Sequence, residues 1–338
     1  MARYQEASFM NALTQLLGEK ETLLADGATS TNLFSLGLTQ GACSELWCIE
    51  HPQRIRQLHQ QFVDAGSDII LTNSFSSNRF RFAVHGLEKR VTELARVSAE
   101  LARDVADRAN HTVVVAGSIG PTGEMIVPVG NRSKMDAQEA FEEQAIALKA
   151  GGVDVAWIET MYSEEELAAA IAATQRAGLP YVATMTFDTN GHTMMGLTPQ
   201  QAVINVKQHD ALPLAFGANC GMGPAQLIDS IIGIKRGAGD DDVIVAKANA
   251  GLPKMGVDLH VHYDSTPQVM ADYVCLARDV GARIIGGCCG TTAVHLRTMA
   301  EALATRPREA LVNHAEIERK LGPMKVVAEG RPQRRRRR

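Results

Sequence analysis

The chain has 338 residues, 45% of them hydrophobic and 21% charged, a composition that fits a globular enzyme and excludes a fibrous or largely disordered protein. It has no run of about 18 apolar residues and no basic segment followed by an apolar one at its N-terminus, so we expect a cytoplasmic protein without a membrane span or signal peptide. The net charge is −4, but residues 331–338 hold six arginines, and the remaining chain, with 28 basic and 38 acidic residues, argues against a nucleic-acid-binding surface.

Short runs rich in Val, Ile and Ala predict eight β-strands. Their apolar character on both faces is typical of a parallel sheet covered by helices. The predicted strands are Thr22–Asp26, Asp68–Thr72, Val113–Ser118, Val153–Glu159, Tyr181–Phe187, Leu214–Asn219, Val243–Asn249 and Arg283–Gly287.

Between the strands, amphipathic segments bounded by Pro, Ser, Thr or Gly predict helices. They are Pro52–Ala65, Glu88–Ala109, Asp136–Ala150, Ser163–Ala177, Thr198–His209 and Pro267–Val280. We expect Asp136 and Ser163 to cap their helices, since each is followed three residues later by a glutamate.

Strands that alternate with helices predict a single (β/α)8 TIM barrel of the α/β class. A doubly wound open sheet is the alternative, but the segment at residues 23–32 lacks the G-x-G-x-x-G phosphate fingerprint of that fold. We therefore assign residues 21–310 to the barrel and residues 1–20 to an N-terminal extension. Residues 311–338 are assigned to a C-terminal extension with a disordered, arginine-rich tail.

Three cysteines lie at predicted strand ends, where the chemistry of such a barrel is located. Cys220 follows the sixth strand, and the Cys288–Cys289 pair, framed by glycines, follows the eighth. Because these strands are close neighbours around the barrel mouth, the three thiols can converge. Three thiolates and one open position are typical of a catalytic zinc, whereas a structural zinc has a fourth protein ligand. The sequence thus predicts that these cysteines bind Zn²⁺.

The other three cysteines lack this arrangement. Cys275 lies within a predicted helix, where a buried cysteine behaves as a small hydrophobic side chain. Cys43 and Cys48 are spaced CxxxxC without further ligands nearby in the sequence. We predict no metal at these positions, and no disulfides in a cytosolic chain.

Two acidic residues at strand ends indicate a site for a charged small molecule. Glu159 ends an apolar run, and its burial requires a cation, either a substrate ammonium group or a Lys or Arg of the chain. Asp26 either caps the turn that follows it or contacts the substrate. The backbone N–H groups of Asp26, Gly27 and Ala28 are candidates for a small anion nest that binds a carboxylate.

Five segments stand out when they are taken together: Asp26–Gly27, LTNSF at 71–75, ETM at 159–161, ANCG at 218–221 and GGCCGTT at 286–292. They resemble the homocysteine S-methyltransferase family, and in particular its bacterial betaine–homocysteine methyltransferase-like members. The resemblance extends from about residue 20 to about residue 305.

The resemblance implies a (β/α)8 barrel in which Cys220, Cys288 and Cys289 bind zinc. It also implies that Glu159 contacts the amino group of homocysteine, with Thr72 and the Asp26–Gly27 region helping to hold the amino acid. The implied reaction transfers a methyl group to the thiol of homocysteine and gives methionine.

The methyl donor distinguishes members of this family from one another. An onium donor such as glycine betaine requires aromatic side chains around its methyl groups, and Trp47 and Phe75 are the candidates, with Phe34 and Tyr162 as further options. Ser76 and Thr160 stand where the animal betaine enzymes have tyrosines, but the LTNSF segment resembles the shorter bacterial betaine enzymes, so betaine is favoured. S-Methylmethionine and dimethylsulfoniopropionate are alternatives, as is methyltetrahydrofolate, which would require folate and cobalamin modules.

Two hypotheses that assign the chain to other classes of protein are also open. A zinc-binding barrel without activity would keep the thiols and lack the donor site. A metal-dependent aldolase would need oxygen or nitrogen ligands rather than three sulfurs. The expected partners are small-molecule substrates, without nucleic acid or membrane, and the sequence is compatible with a homo-oligomer.

Overall fold

The structure is a computed structural model that describes residues 11–256, 261–309 and 312–324, so the predicted disordered tail lies outside the described residues. Its barrel strands are β1 (Leu23–Leu24), β2 (Ile69–Leu71), β3 (Val114–Ile119), β4 (Val155–Met161), β5 (Tyr181–Met185), β6 (Ala215–Cys220), β7 (Ile244–Ala248) and β10 (Ala282–Gly287). A separate antiparallel pair, β8 (Lys254–Met255) and β9 (Val261–His262), follows β7.

The eight barrel strands are all parallel and follow the order β1-β10-β7-β6-β5-β4-β3-β2. A bridge between Ala25 and Ile69 joins the two outer strands of this order. In addition, the Asp68 N–H donates to the Leu24 carbonyl at 2.7 Å. These contacts bring the sheet round into a nearly closed ring, so the chain is a (β/α)8 TIM barrel and not a doubly wound open sheet.

Within the described residues, each barrel strand is followed by at least one helix. The helices are α1 (Ala12–Glu19), α2 (Ser30–Ser35), α3 (Trp47–Glu50), α4 (Pro52–Asp64), α5 (Arg79–Ala83), α6 (Val91–Ala106), α7 (Lys134–Ala150), α8 (Glu164–Ala177), α9 (Pro199–Val206), α10 (Pro224–Gly237), α11 (Pro267–Asp279), α12 (Ala293–Thr305) and α13 (His314–Leu321). None of them is both long and apolar enough to cross a membrane.

The start of α7 corrects one predicted cap. Ser133, not Asp136, is the N-cap: its Oγ accepts from the Asp136 N–H at 3.0 Å, and the Asp136 carboxylate accepts from the Ser133 N–H at 3.2 Å. This reciprocal pair is a capping box, so the aspartate is its third residue. Ser163 does cap α8, and the Glu166 carboxylate accepts instead from the N–H and hydroxyl of Thr122.

The inside of the barrel is apolar at the amino ends of its strands. Side chains from the barrel strands form one buried cluster there, which we call the base cluster: Leu23, Ala25, Ile69, Leu71, Val114, Ala116, Val155, Trp157, Val182, Ala215, Val245 and Ile284. Leu13 and Leu16 of α1 join this cluster. The described part of the predicted N-terminal extension therefore packs into the barrel, while the limits proposed for the barrel itself, 21–310, stay a prediction.

Candidate metal centre

Two residues further along several strands, toward their carboxyl ends, the next side chain that points into the barrel is polar instead of apolar. Trp157 is followed by Glu159, Val245 by Lys247 and Ala116 by Ser118, because alternate residues of a strand point to the same side. An open cavity, which we call the mouth, lies at this end. It is lined by Gly27, Ala28, Thr29, Ser30, Thr31, Leu71, Thr72, Asn73, Ser74, Phe75, Ser118, Glu159, Thr160, Cys220, Lys247, Gly287, Cys288 and Cys289.

Cys220, Cys288 and Cys289 converge in this cavity. Their Sγ atoms all lie within 4.8 Å of one another, and none is in a disulfide. Sulfur ligands at about 2.3 Å from one tetrahedral zinc lie about 3.8 Å apart, so the trio is compact enough for a single ion. No second group of three potential metal ligands is this close within residues 11–256, 261–309 and 312–324, which includes Cys43, Cys48 and Cys275.

Asn219 organises the backbone beside the first cysteine. Its Oδ1 accepts from the Thr160 N–H at 2.8 Å and from the Thr184 hydroxyl at 2.7 Å, and its Nδ2 donates to the Thr160 hydroxyl at 2.7 Å. Nδ2 also lies 3.8 Å from the Cys288 Sγ. Thr160 and Cys220 have φ values of 60° and 64°, a left-handed conformation that is costly for side chains of this kind. The amide network therefore holds strained backbone beside the thiols.

A second network surrounds Cys289. The Asn249 Oδ1 accepts from the Cys289 N–H at 3.0 Å, and its Nδ2 donates to the Gly221 carbonyl at 2.8 Å. Gly290 has a φ of 78°, and a Cβ there would lie 2.3 Å from the Cβ of Tyr263. Only glycine therefore lets the tyrosine pack over the cysteine turn.

The surroundings keep these thiols protonated when no cation is bound. In Cys220 the hydrogen bond with Cys288 acts to lower the pKa, but the bond with Cys289 and burial raise it to about 12. The hydrogen bond with Cys220 raises the pKa of Cys288 well above its ordinary value. A divalent cation is the kind of group that would hold three such cysteines as thiolates, and their soft sulfur atoms suit zinc.

The floor of the cavity carries one carboxylate, that of Glu159, and one ammonium group, that of Lys247, and the Asp26 carboxylate is buried beneath them. The Lys247 Nζ donates to the Asp26 Oδ1 at 2.7 Å, and the Asp26 Oδ2 accepts from the Leu71 N–H at 2.7 Å. Burial acts to lower the pKa of Lys247, but the charges of Asp26 and Glu159 outweigh it and the pKa is raised. Burial raises the pKa of the Glu159 carboxyl, which accepts from the Ser118 hydroxyl at 2.5 Å.

Not all the predicted site residues line this cavity. Gly27, Thr72, Phe75 and Glu159 do so together with the three cysteines, whereas Asp26 and Trp47 are not among the lining residues. Asp26 is completely buried beneath the cavity and bonds to Lys247 and Leu71. Its predicted capping of the following turn is therefore wrong.

The predicted anion nest is also closed. The Asp26 N–H donates to the Ile69 carbonyl at 3.0 Å, and the Ala28 N–H donates to the Thr291 carbonyl at 3.1 Å. Two of the three backbone donors are therefore committed to the fold. The prediction of a nest for a carboxylate at this turn is wrong.

The two predicted aromatic donor contacts have different surroundings. The Phe75 ring lines the cavity and packs so closely on Gly120 that a Cβ there would lie 2.5 Å from it. The Trp47 ring is buried, with the His51 ring centroid at 4.7 Å and the Arg54 guanidinium at 4.9 Å. Trp47 is thus occupied by neighbours of its own chain.

The contacts that three residues make around the mouth were not predicted from the sequence. Lys247 interrupts the apolar strand IVAKA, and a lysine at an inward position was the signal that could have revealed it. Asn219 immediately precedes Cys220, but its role depends on contacts with residues about 35 and 59 positions away. Tyr263 packs against Gly290 from the segment after β9, and no sequence spacing indicates this contact.

Comparison with known proteins gives concordant results. The family model described as homocysteine S-methyltransferase matches residues 23–303. The methionine synthase of Mycobacterium tuberculosis (strain ATCC 25618 / H37Rv) is 28% identical over 308 residues, which cover 86% of this chain and 25% of that protein. The methionine synthase of Mycobacterium leprae (strain TN) is 27% identical over 306 residues, 84% of this chain and 24% of that protein. The chain thus spans about a quarter of the length of these relatives.

Among solved structures, the chain is similar to the homocysteine methyltransferase MmuM from Escherichia coli in its metallated form. The TM-score is 0.73 and the sequence identity 25%, with 86% of this chain and 99% of that chain covered. The oxidized form of the same protein gives a TM-score of 0.72 at 25% identity and the same coverage.

Proposed function

The chain belongs to the homocysteine S-methyltransferase family, and we propose that it carries out a zinc-dependent transfer of a methyl group from a small onium donor, with glycine betaine favoured, to homocysteine, giving methionine. As a member of that family it is a methyltransferase enzyme acting on homocysteine. The observation that carries the proposal of a zinc-bound homocysteine is that three thiols and a buried carboxylate converge on one cavity.

Cys220, Cys288 and Cys289 would hold the zinc ion. Three sulfur ligands leave one tetrahedral position open, as in catalytic rather than structural zinc sites. When bound, the ion supplies a positive charge that favours the thiolate form of a thiol, whose ordinary pKa of about 8.5 leaves it mostly protonated at neutral pH. The similarity to a homocysteine methyltransferase solved in a metallated form supports a metal at this position.

Homocysteine would bind with its amino group at Glu159. This carboxylate lines the cavity, and within the described part of the chain no Lys or Arg nitrogen lies within 4.0 Å of it. A substrate ammonium group would therefore supply the cation that a buried carboxylate requires. Thr72 and Gly27 line the same cavity, and Asp26 holds Lys247 at its floor.

In the proposed reaction the sulfur of homocysteine attacks a methyl carbon of the onium donor. For betaine, a carbon–sulfur bond forms, a carbon–nitrogen bond breaks, and the electron pair leaves with dimethylglycine. Alignment of the two substrates is the main contribution of the protein, and no protein base is needed. The Phe75 ring is the side chain of the cavity suited to pack against the cationic methyl groups.

A second donor, methyltetrahydrofolate, is supported by the similarity to two methionine synthases. We would therefore load the full chain with zinc and assay methionine formation from homocysteine with betaine, dimethylsulfoniopropionate, S-methylmethionine or methyltetrahydrofolate. We expect betaine to give the highest kcat/KM. Turnover with methyltetrahydrofolate alone would overturn the onium proposal, and failure of all four donors would favour a non-catalytic barrel.

The same assay discriminates between the two predicted aromatic contacts. We expect Phe75→Leu to raise the KM for the onium donor about tenfold, because a cation–π contact contributes about 0.5–2 kcal/mol. The KM for homocysteine should stay unchanged. Trp47→Leu is the matched control, since its ring is covered by His51 and Arg54. A larger effect of Trp47→Leu on the donor KM would reverse the assignment.

A further inference from the structure

Lys247 is a buried cation with unused hydrogen-bonding capacity. Its side chain is 3% exposed and projects from β7 into the floor of the mouth. An ammonium group has three N–H donors, yet within the described residues Nζ makes one hydrogen bond, to the Asp26 Oδ1 at 2.7 Å. Nζ also lies 5.6 Å from the centroid of the Trp157 ring. Buried polar donors are normally satisfied, so the remaining N–H donors call for an acceptor that the described residues do not provide.

Glu159 is the complementary group on the same cavity. Its carboxylate accepts one hydrogen bond, from the Ser118 hydroxyl at 2.5 Å. The charge of Lys247 acts to lower the pKa of Glu159, and the charge of Glu159 acts to raise the pKa of Lys247. In the described part of the chain, the two side chains nevertheless form no ion pair at 4.0 Å or less. Two buried and opposite charges therefore line one cavity more than 4.0 Å apart.

This arrangement suits a molecule that itself carries both charges. The turn that was expected to bind a substrate carboxylate has two of its three N–H groups donated to the carbonyls of Ile69 and Thr291. The carboxylate of an amino acid that approaches Glu159 through its ammonium group thus needs another partner. Lys247 is the cationic side chain that lines the cavity.

We propose that Lys247 binds the carboxylate of the acceptor substrate while Glu159 binds its ammonium group, so that the pair selects zwitterionic α-amino thiols over thiols with one charge. This inference rests on the proposed function, because it assigns a specificity residue to the acceptor site. Asp26 is then a positioning residue that holds the lysine side chain at the cavity floor.

The competing explanation is that Lys247 only balances the buried charge of Asp26. Three ligands separate the two explanations: homocysteine, 4-mercaptobutanoate, which lacks the amino group, and 3-aminopropanethiol, which lacks the carboxylate. Their binding to the zinc-loaded full chain is measured by calorimetry without a methyl donor, so no turnover is involved. The wild type, Lys247→Met and Glu159→Gln are compared.

We expect Lys247→Met to weaken homocysteine and 4-mercaptobutanoate about 10- to 100-fold, the effect of losing a hydrogen bond between charged groups. It should change 3-aminopropanethiol by less than about threefold. Glu159→Gln should give the opposite pattern, with 3-aminopropanethiol weakened and 4-mercaptobutanoate retained. Equal losses for all three ligands in Lys247→Met, or no loss for any, would overturn the assignment.

The double variant Asp26→Asn with Lys247→Met removes both members of the buried pair and keeps the folded protein testable if Lys247→Met alone unfolds. We expect the selective loss of 4-mercaptobutanoate to persist in it. Recovery of wild-type affinity for that ligand would show that the lysine only balances Asp26. If no thiol binds even the wild-type protein, the proposed function fails rather than the role of Lys247.

Discussion

The interior of the barrel changes character between its two ends, although the same strands build both. At the base, Val245, Trp157 and Ala116 belong to an apolar cluster that α1 covers with two leucines. One inward step further along the same strands, Lys247 and Glu159 line an open cavity. A two-residue step along a strand thus separates side chains that pack the core from side chains that hold charge.

The two ends differ in what burial contributes to the stability of the fold. Each leucine of the base cluster contributes about 1.5–3 kcal/mol by leaving water. At the mouth, burial of Asp26, Lys247 and Glu159 costs free energy, and a buried ion pair rarely recovers more than this cost. The charged residues are thus better explained by what they bind than by the stability they add, and the base stabilises the barrel that carries them.

The substitution with the largest expected effect removes a metal ligand at the mouth and leaves the base cluster unchanged. We expect Cys288→Ala to lower methionine formation by at least about 1,000-fold, because loss of one of three ligands removes the metal and with it the activated thiol. Zinc content by mass spectrometry should fall in parallel. Far-ultraviolet circular dichroism should remain that of a folded barrel, since the base cluster is unchanged.

Cys275→Ala is the matched control for this substitution. Cys275 is equally a free cysteine, but it is buried in α11 and its Sγ lies 3.8 Å from the Ala302 carbonyl, away from the trio. We expect it to retain zinc and activity. Retention of activity by zinc-free Cys288→Ala would contradict the metal mechanism.

The fold was largely predictable from the sequence because strands buried on both faces leave continuous apolar runs. The parallel barrel order follows from alternation of strands and helices, and the structure confirms all eight strands to within a few residues. The wrong prediction of Asp136 as a helix cap shows that the first residue of a helix is predicted less reliably than the helix itself. Ser133 and Asp136 are both good cap residues, and the choice between them depends on where the preceding loop lets the helix start.

The parts of the candidate site that depend on a rare residue type could be predicted from the sequence. The parts that depend on contacts between residues distant in sequence could not. The cysteine trio was visible because three thiols at strand ends are unusual, and the structure brings them together. The closed nest at Asp26–Ala28 was not predictable, since its N–H groups are taken by the carbonyls of Ile69 and Thr291, distant in sequence. Likewise, the burial of the Trp47 ring depends on Arg54 and His51, whose side chains contact it only after folding.

The converse substitution destabilises the base cluster and leaves the residues of the mouth unchanged. Leu16 of α1 is 2% exposed within the base cluster, so Leu16→Ala should lower the free energy of unfolding by about 2–5 kcal/mol. Zinc content and thiol affinity per folded molecule should stay unchanged. Leu212→Ala, at a residue that is 62% exposed, should stay within about 0.5 kcal/mol of the wild type in urea unfolding. A parallel loss of zinc in Leu16→Ala would show that the two ends are coupled.

The smallest expected effect concerns His59 of α4, a buried ionisable side chain outside the barrel interior. Within the described residues, neither nitrogen of its ring has a hydrogen-bond partner. Burial lowers its pKa from 6.5 to about 4. The unfolded chain therefore binds a proton between these values while the folded chain does not, so stability is fully present above pH 6.5 and falls as the pH drops toward about 4.

This difference in pKa corresponds to a loss of about 3 kcal/mol of unfolding free energy over that pH range. We expect His59→Leu to remove this part of the pH dependence, measured by urea unfolding at pH 7, 6, 5 and 4, and His85→Leu at an exposed position to retain it. An unchanged slope in His59→Leu would mean that His59 finds a partner or water in solution. Unlike Lys247, whose charge is held by Asp26, an unpaired buried imidazole should reveal itself only through this proton linkage.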